Sequence, residues 1–216
     1  MNKPRSVRFS EGMRGYISFG ETDERRGAYD GRTSGTRLIA RLTITIDHLD
    51  RFIADARRAA SIDGWIDCDA LGGELPIESG VFNLFAEEAD PARKHMRYRL
   101  FFRDSVGHAV TLVGVKVVRS DTPIALWPET STLYTRLLHG HVNTDQEEQA
   151  ELVAAGILRL SLLDVLRQLT TFRAEGPSRA ARGAAIVTFI TFFCTQLWQL
   201  YRRRVARRQS GASGSV

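Results

Sequence analysis

The 216-residue sequence predicts a mainly β α+β fold, an antiparallel β-barrel or barrel-like sandwich with a C-terminal amphipathic helix. Three observations predict it. Short segments alternate apolar and polar residues at the period of two that a half-buried strand requires. These segments recur at fairly regular spacing with Gly, Pro, Asp and Ser between them, the rhythm of antiparallel sandwiches and barrels. Near the C-terminus an uncharged, Phe-rich stretch carries helical spacing instead. With 43% hydrophobic and 25% charged residues the chain has a globular composition and can bury a sizeable core.

Taken in order, residues 1–12 read as an N-terminal arm, and GYISFG near residue 15 as the first strand. RLIARLTITI, from Arg37 to Ile46, sets Leu38, Ala40, Leu42, Ile44 and Ile46 on one side and mostly Arg and Thr on the other. DHLDRFIADARRAA follows as a helix that Asp47 or Asp50 can cap. GWIDCD near 64 and GVFNLF near 80 are further strands. MRYRLFFRD and AVTLVGVKVV form a hairpin turned by Ser105 and Gly107, in which Met96, Tyr98, Leu100 and Phe102 share one face. STLYTRLLHGHV from 131 and LVAAGILRL from 152 complete the strands. SLLDVLRQLTTF reads as a second helix that lies on the body through Leu162, Leu163, Val165, Leu166 and Leu169. After the EGPS break, Pro177 and Ser178 can start the last helix, 178–201, and 202–216 reads as a basic, flexible tail. Residues 13–201 are thus read as a single domain.

The last helix raises a question of placement, because 19 uncharged positions separate Arg182 from Arg202. At about 1.5 Å each they nearly match a hydrocarbon core of roughly 30 Å. Yet Ile186, Phe189, Ile190, Phe193, Leu197, Leu200 and Tyr201 fall on one stripe, and Thr188, Thr191, Thr195, Gln196 and Gln199 lie away from it. A spanning helix needs no such asymmetry, whereas a helix laid on a core does. Phe192 and Trp198 sit off the stripe and are read, with Arg202, Arg203 and Arg204, as contacts to a partner or a membrane surface.

The formal net charge is +5, but five arginines from Arg202 onward leave 25 basic against 25 acidic residues before them. The body is neutral and its charges are dispersed, which argues against a nucleic-acid partner. Cys68 and Cys194 are far apart and form no CxxC, so neither a disulfide framework nor a structural zinc site is indicated. The N-terminus lacks the apolar stretch of a secretory signal, and a cytoplasmic, reducing location is expected, with membrane association through the last helix as the variant.

Chemistry-bearing patterns are sparse. GxGxxG, GxxxxGK[ST] and GxSxG do not occur, so no cofactor and no usual nucleophile elbow are predicted. His139 and His141 alternate on a strand and are the candidate metal pair of a metal-dependent enzyme, but a third ligand is wanting: Glu147 and Glu148 follow in a polar loop, and His108 is near only if the sheets bring it there. Solvated histidines at a strand end are the simpler reading. Asp67 and Asp69 with Glu74 resemble a hard-cation cluster but also suit a charged strand end beside the Gly72–Gly73 turn. An eight-stranded barrel is just wide enough for one small apolar ligand, and Tyr98, Phe102 and Tyr134 are the residues expected to line it.

GYISFGETD, CDALGGELPIESGVFNLF, RYRLFFRDSVGHAVTLVGVKVV, STLYTRLLHGHV and LRQLTTFRAEGP resemble a region of actinobacterial multidomain flavoproteins. These are cholesterol-oxidase-like members of the glucose-methanol-choline oxidoreductase family, some joined to lipase or patatin-like modules. The resemblance spans roughly residues 8–200 but omits the glycine-rich βαβ segment that cradles the flavin. It therefore carries no catalytic residue across. What it implies is a non-catalytic accessory module beside lipid or sterol chemistry, binding an apolar molecule or lipid, or a flavoprotein or lipase partner. The alternatives from other classes are the metal-dependent enzyme and a peripheral membrane protein held by its last helix.

Overall fold

Alternation of small patches of apolar side chains drives this chain to close on itself. The computed structural model describes residues 5–86, 94–118, 131–160, 173–176 and 178–212, with side chains of the last helix described to Gln196 and at Trp198. The elements run β1 (Ser6–Phe19), α1 (Glu24–Ser34), β2 (Arg37–Ile46), α2 (Leu49–Ala54), β3 (Ala59–Cys68), β4 (Gly73–Ala86), β5 (Lys94–Arg103), β6 (Ala109–Val118), β7 (Thr132–His139), β8 (Leu152–Leu160), β9 (Arg173–Glu175) and α3 (Arg179–Ala212).

Strands β1 to β8 each pair antiparallel with their sequence neighbours, and β8 pairs back onto β1 through Met13–Phe19, so eight strands form a closed antiparallel barrel. Closure leaves these strands no free edge along which to aggregate. Passing from strand to strand through paired residues, one circuit returns to β1 roughly ten residues from its start, the stagger that tilts the strands of an eight-stranded barrel. The stretch of β1 that β8 does not reach takes β9 instead, at Ser6–Arg8.

The period of two sorts the side chains. Leu38, Leu42, Ile44, Ile62, Ile66, Leu100, Phe102, Leu112 and Leu158 are among the buried core, each at most 2% exposed. Residues 6–12, read from sequence as an arm, are instead the first half of β1, where Val7 and Phe9 are buried. The stretch DHLDRFIADARRAA is helical only over Leu49–Ala54. Asp55 turns extended, its side chain accepts the Arg57 amide, and Ala59 already opens β3. The expected helix over SLLDVLRQLTTF and the turn at 121–123 lie outside the described residues.

Helix α1 had no apolar stripe to announce it. It is held by a cap and by close approach. Asp23 accepts hydrogen bonds from the Arg25 and Arg26 amides, and Gly35 ends the helix in the left-handed region at φ 78°. Its buried face is Gly27 and Gly31, laid directly on the outer backbone of β1 and β8. A Cβ on Gly27 would strike the Ala155 carbonyl oxygen, and one on Gly31 the Ile17 carbonyl oxygen. Only glycine allows that approach.

Helix α3 covers the barrel end where β1 begins and β2 ends. Ala185 and Phe189 are buried there, with the Phe189 ring 5.7 Å from Phe9 and 6.4 Å from Phe52, and Phe193 lies 5.3 Å from Phe85. The greasy stripe thus packs on the chain's own sheet, but it is rotated from the expected one. Ile190 is 41% exposed, whereas Phe192 and Gln196 face the barrel. Rim cations account for the rotation, since the Arg58 guanidinium lies 5.6 Å over Phe192 and the Lys94 amine donates to Gln196 Oε1. The helix also continues to Ala212, through much of the segment read as a flexible tail. Among the described residues no helix is long and apolar enough to cross a membrane.

Candidate functional site

Strand β1 carries Glu11 at an inward position, and it is buried among the core residues. An isolated carboxylate there would be expensive, so partners are required. Two arrive from across the barrel. Lys116 on β6 places Nζ 2.5 Å from Glu11 Oε1, and the Tyr98 hydroxyl on β5 donates to Oε2 at 2.8 Å. Lys116 is 1% exposed, and its ammonium lies 5.0 Å from the Tyr98 ring centroid. Burial, and then the Glu11 carboxylate, push the Tyr98 hydroxyl well above the ordinary tyrosine pKa, so it stays a donor. The cluster ties β1, β5 and β6 together through the interior. The polar residues Glu11 and Lys116 gave no sign of this in sequence beyond their parity with apolar neighbours on their strands.

The three residues expected to line a cavity do not come together. Tyr98 and Phe102 point inward and are buried, with the Tyr98 ring 4.9 Å from Phe82. Tyr134 lies on the other face of β7, out of step with the buried Leu133 and Leu137. The described interior is occupied by packed side chains and the ionic cluster.

One concavity lies on the outside of the barrel. Across β3–β6 the sheet forms an open groove of about 630 Å³. Val81, Val113 and Val115 line it, and Arg57, Arg97 and Arg99 stand among them. Val81 is 40% exposed, an outward apolar residue where water would normally be met by a polar one. Arg99 is anchored by Glu147 at 2.5 Å and by the Val142 carbonyl at 2.7 Å, which fixes one wall. Asn83 donates to the Arg57 carbonyl at 3.0 Å and fixes the other.

At the far end of the barrel the histidines separate. His139 lies beside His108, ring centroids 6.4 Å apart, while His141 turns to Phe101, the Phe102 carbonyl and Glu78. The pair predicted as metal ligands therefore points to two different neighbourhoods, and no group of three or more metal-ligating side chains is found among the described residues. His108 donates instead into a turn. Partial burial disfavours the Asp104 carboxylate, but the His108 and Val106 amides and the His108 ring hydrogen-bond it and hold its pKa below the usual value. Asp67 pairs opposite Glu74 across β3 and β4, and Cys68, between Asp67 and Asp69, is buried. Burial raises the Cys68 thiol pKa, the opposite of what a reactive thiolate needs.

Of the residues expected to make outer contacts, Phe192 is turned inward against the core and Arg58. Trp198 is 60% exposed. Arg202, Arg203 and Arg204 belong to α3, with side chains outside the described ones. No family model, curated protein or solved structure matches the chain.

Proposed function

We propose that this chain is a non-catalytic binding module that holds an amphipathic, lipid-like molecule with an acidic head in the groove across β3–β6. The observation that carries the reading is the union of a valine floor and a guanidinium rim in one concavity. Its volume of about 630 Å³ lies within the roughly 300–1,000 Å³ of small-molecule sites. Val81 and Val115 offer apolar contact to a hydrocarbon body, and Arg57 offers a cation to a carboxylate or phosphate head. The interior offers less, being filled around Tyr98 and Phe102. A place beside a flavoprotein or lipase partner, as the resemblance implies, fits a module that presents such a molecule to another protein.

Displacement of a fluorescent fatty acid tests it. The parent binds the probe, the free acid displaces it better than its methyl ester, and Val81→Glu weakens binding at least about tenfold by placing an anion in the floor. A parent that ignores the probe, or a Val81→Glu chain that binds as the parent does, removes the reading.

A further inference from the structure

The face of α3 turned away from the barrel carries exposed large apolar residues beside Thr191 and Thr195, where a surface helix is normally polar throughout. Val187 is 64%, Ile190 41% and Trp198 60% exposed, and Cys194 is exposed between them. The spacing of three and four residues puts these on one line, opposite Ala185, Phe189 and Gln196. Charge on the same element is wholly of one sign. From Gly176 to the C-terminus there are seven arginines and no acidic residue, so the rest of the chain carries a net −2.

We propose that α3 docks the protein on an anionic membrane surface, lying in the plane of the interface. Val187, Ile190 and Trp198 enter the headgroup boundary, where an indole is favoured, and the arginines meet lipid phosphates. Either signal alone binds weakly, and stable attachment needs both together. A protein partner or a nucleic acid fits less well. The first would need acids facing an all-arginine flank, and the second has no use for an exposed Val-Ile-Trp line. The opposite face of α3 is already committed to Phe9, Phe52 and Phe85, so the barrel would stand on the membrane by its helix-covered end. This site is separate from the β3–β6 groove.

Co-sedimentation of the full chain with vesicles tests the proposal, using phosphatidylcholine alone and phosphatidylcholine mixed with phosphatidylserine. The parent binds the mixed vesicles at least about tenfold more strongly than the neutral ones. Replacing Arg202, Arg203 and Arg204 together by Gln removes most of that difference, about tenfold or more. Val187→Asp with Ile190→Asp lowers binding to both vesicle types, and circular dichroism matching the parent shows that the fold is kept. Val81→Glu, which blocks the groove, sediments as the parent does, so failure of one site is distinguishable from failure of the other. Equal binding to the two vesicle types, no binding to either, variants that match the parent, loss of sedimentation in Val81→Glu, or binding to RNA that vesicles do not displace would overturn it.

Discussion

The two ends of the barrel use the same chemistry at opposite stakes. Toward the helix-covered end, Glu11 meets Lys116 at 2.5 Å with side chains 6% and 1% exposed. At the hairpin end, Arg103 meets Glu78 at 3.0 Å with side chains 52% and 43% exposed, and His108 meets Asp104 at 3.1 Å. Water screens the second set and barely touches the first. The value of an ion pair here is set by what lies around it. The covered end ties β1, β5 and β6 together, and the hairpin end carries solvent-screened pairs.

The largest test of this contrast is Lys116→Met, which strands Glu11 in the interior and is expected to cost about 3–5 kcal/mol in denaturant unfolding. The triple change Glu11→Leu, Lys116→Met, Tyr98→Phe removes every member of the cluster and recovers most of that loss. If the single variant is as stable as the parent, the covered end is not specified by this cluster. Next comes Phe189→Ala, which empties the seat between Phe9 and Phe52 and should cost about 3 kcal/mol. A change confined to the α3 signal in amide exchange, with the barrel unaffected, would instead mark the helix as a separate unit.

Gly31→Ala asks whether α1 owes its place to close approach. The added methyl meets the Ile17 carbonyl oxygen, and about 1–3 kcal/mol should be lost although alanine is the better helix former. A gain in stability would show that α1 can lift off the sheet at no cost. The smallest effect belongs to the hairpin end. The folded pKa of Asp104 is lowered, so its contribution is present above the ordinary carboxylate value of about 3.9 and is lost as pH falls through the lower folded value. The protection of the Val106 and His108 amides, taken relative to their intrinsic exchange rate at each pH, should therefore fall on acidification, and Asp104→Asn should abolish that dependence.

Much of the barrel was legible because strand parity is a local signal. β2 and β6 match the runs RLIARLTITI and AVTLVGVKVV residue for residue, the first because every second side chain is apolar and the second because it is rich in β-branched valine. The pattern makes β1 too short because Arg8, Glu11 and Gly12 interrupt the apolar run, yet Glu11 is an inward residue whose partners lie 87 and 105 positions away. α1 was missed because its buried face is two glycines, which carry no hydropathy. Tyr134 was placed in a cavity by aromatic character alone, although its parity with Leu133 and Leu137 already set it outside. The metal pair failed on reach: alternate residues of a strand share a face only while the strand lasts, and β7 ends at His139. The groove was not visible at all, because Val81, Arg97 and Val113 come from three strands.

The mainly β character, the course of most strands and a Phe-rich helix covering apolar surface are legible in the chain's local pattern, because periodicity is written between near neighbours. Folding in three dimensions set which way α3 is rotated, gave Glu11 a lysine and a tyrosine to meet, and brought Val81, Arg97 and Val113 to one outer groove. Those outcomes depend on residues far apart in the chain, brought within a few ångströms by strand pairing and closure, and no local pattern encodes such distances.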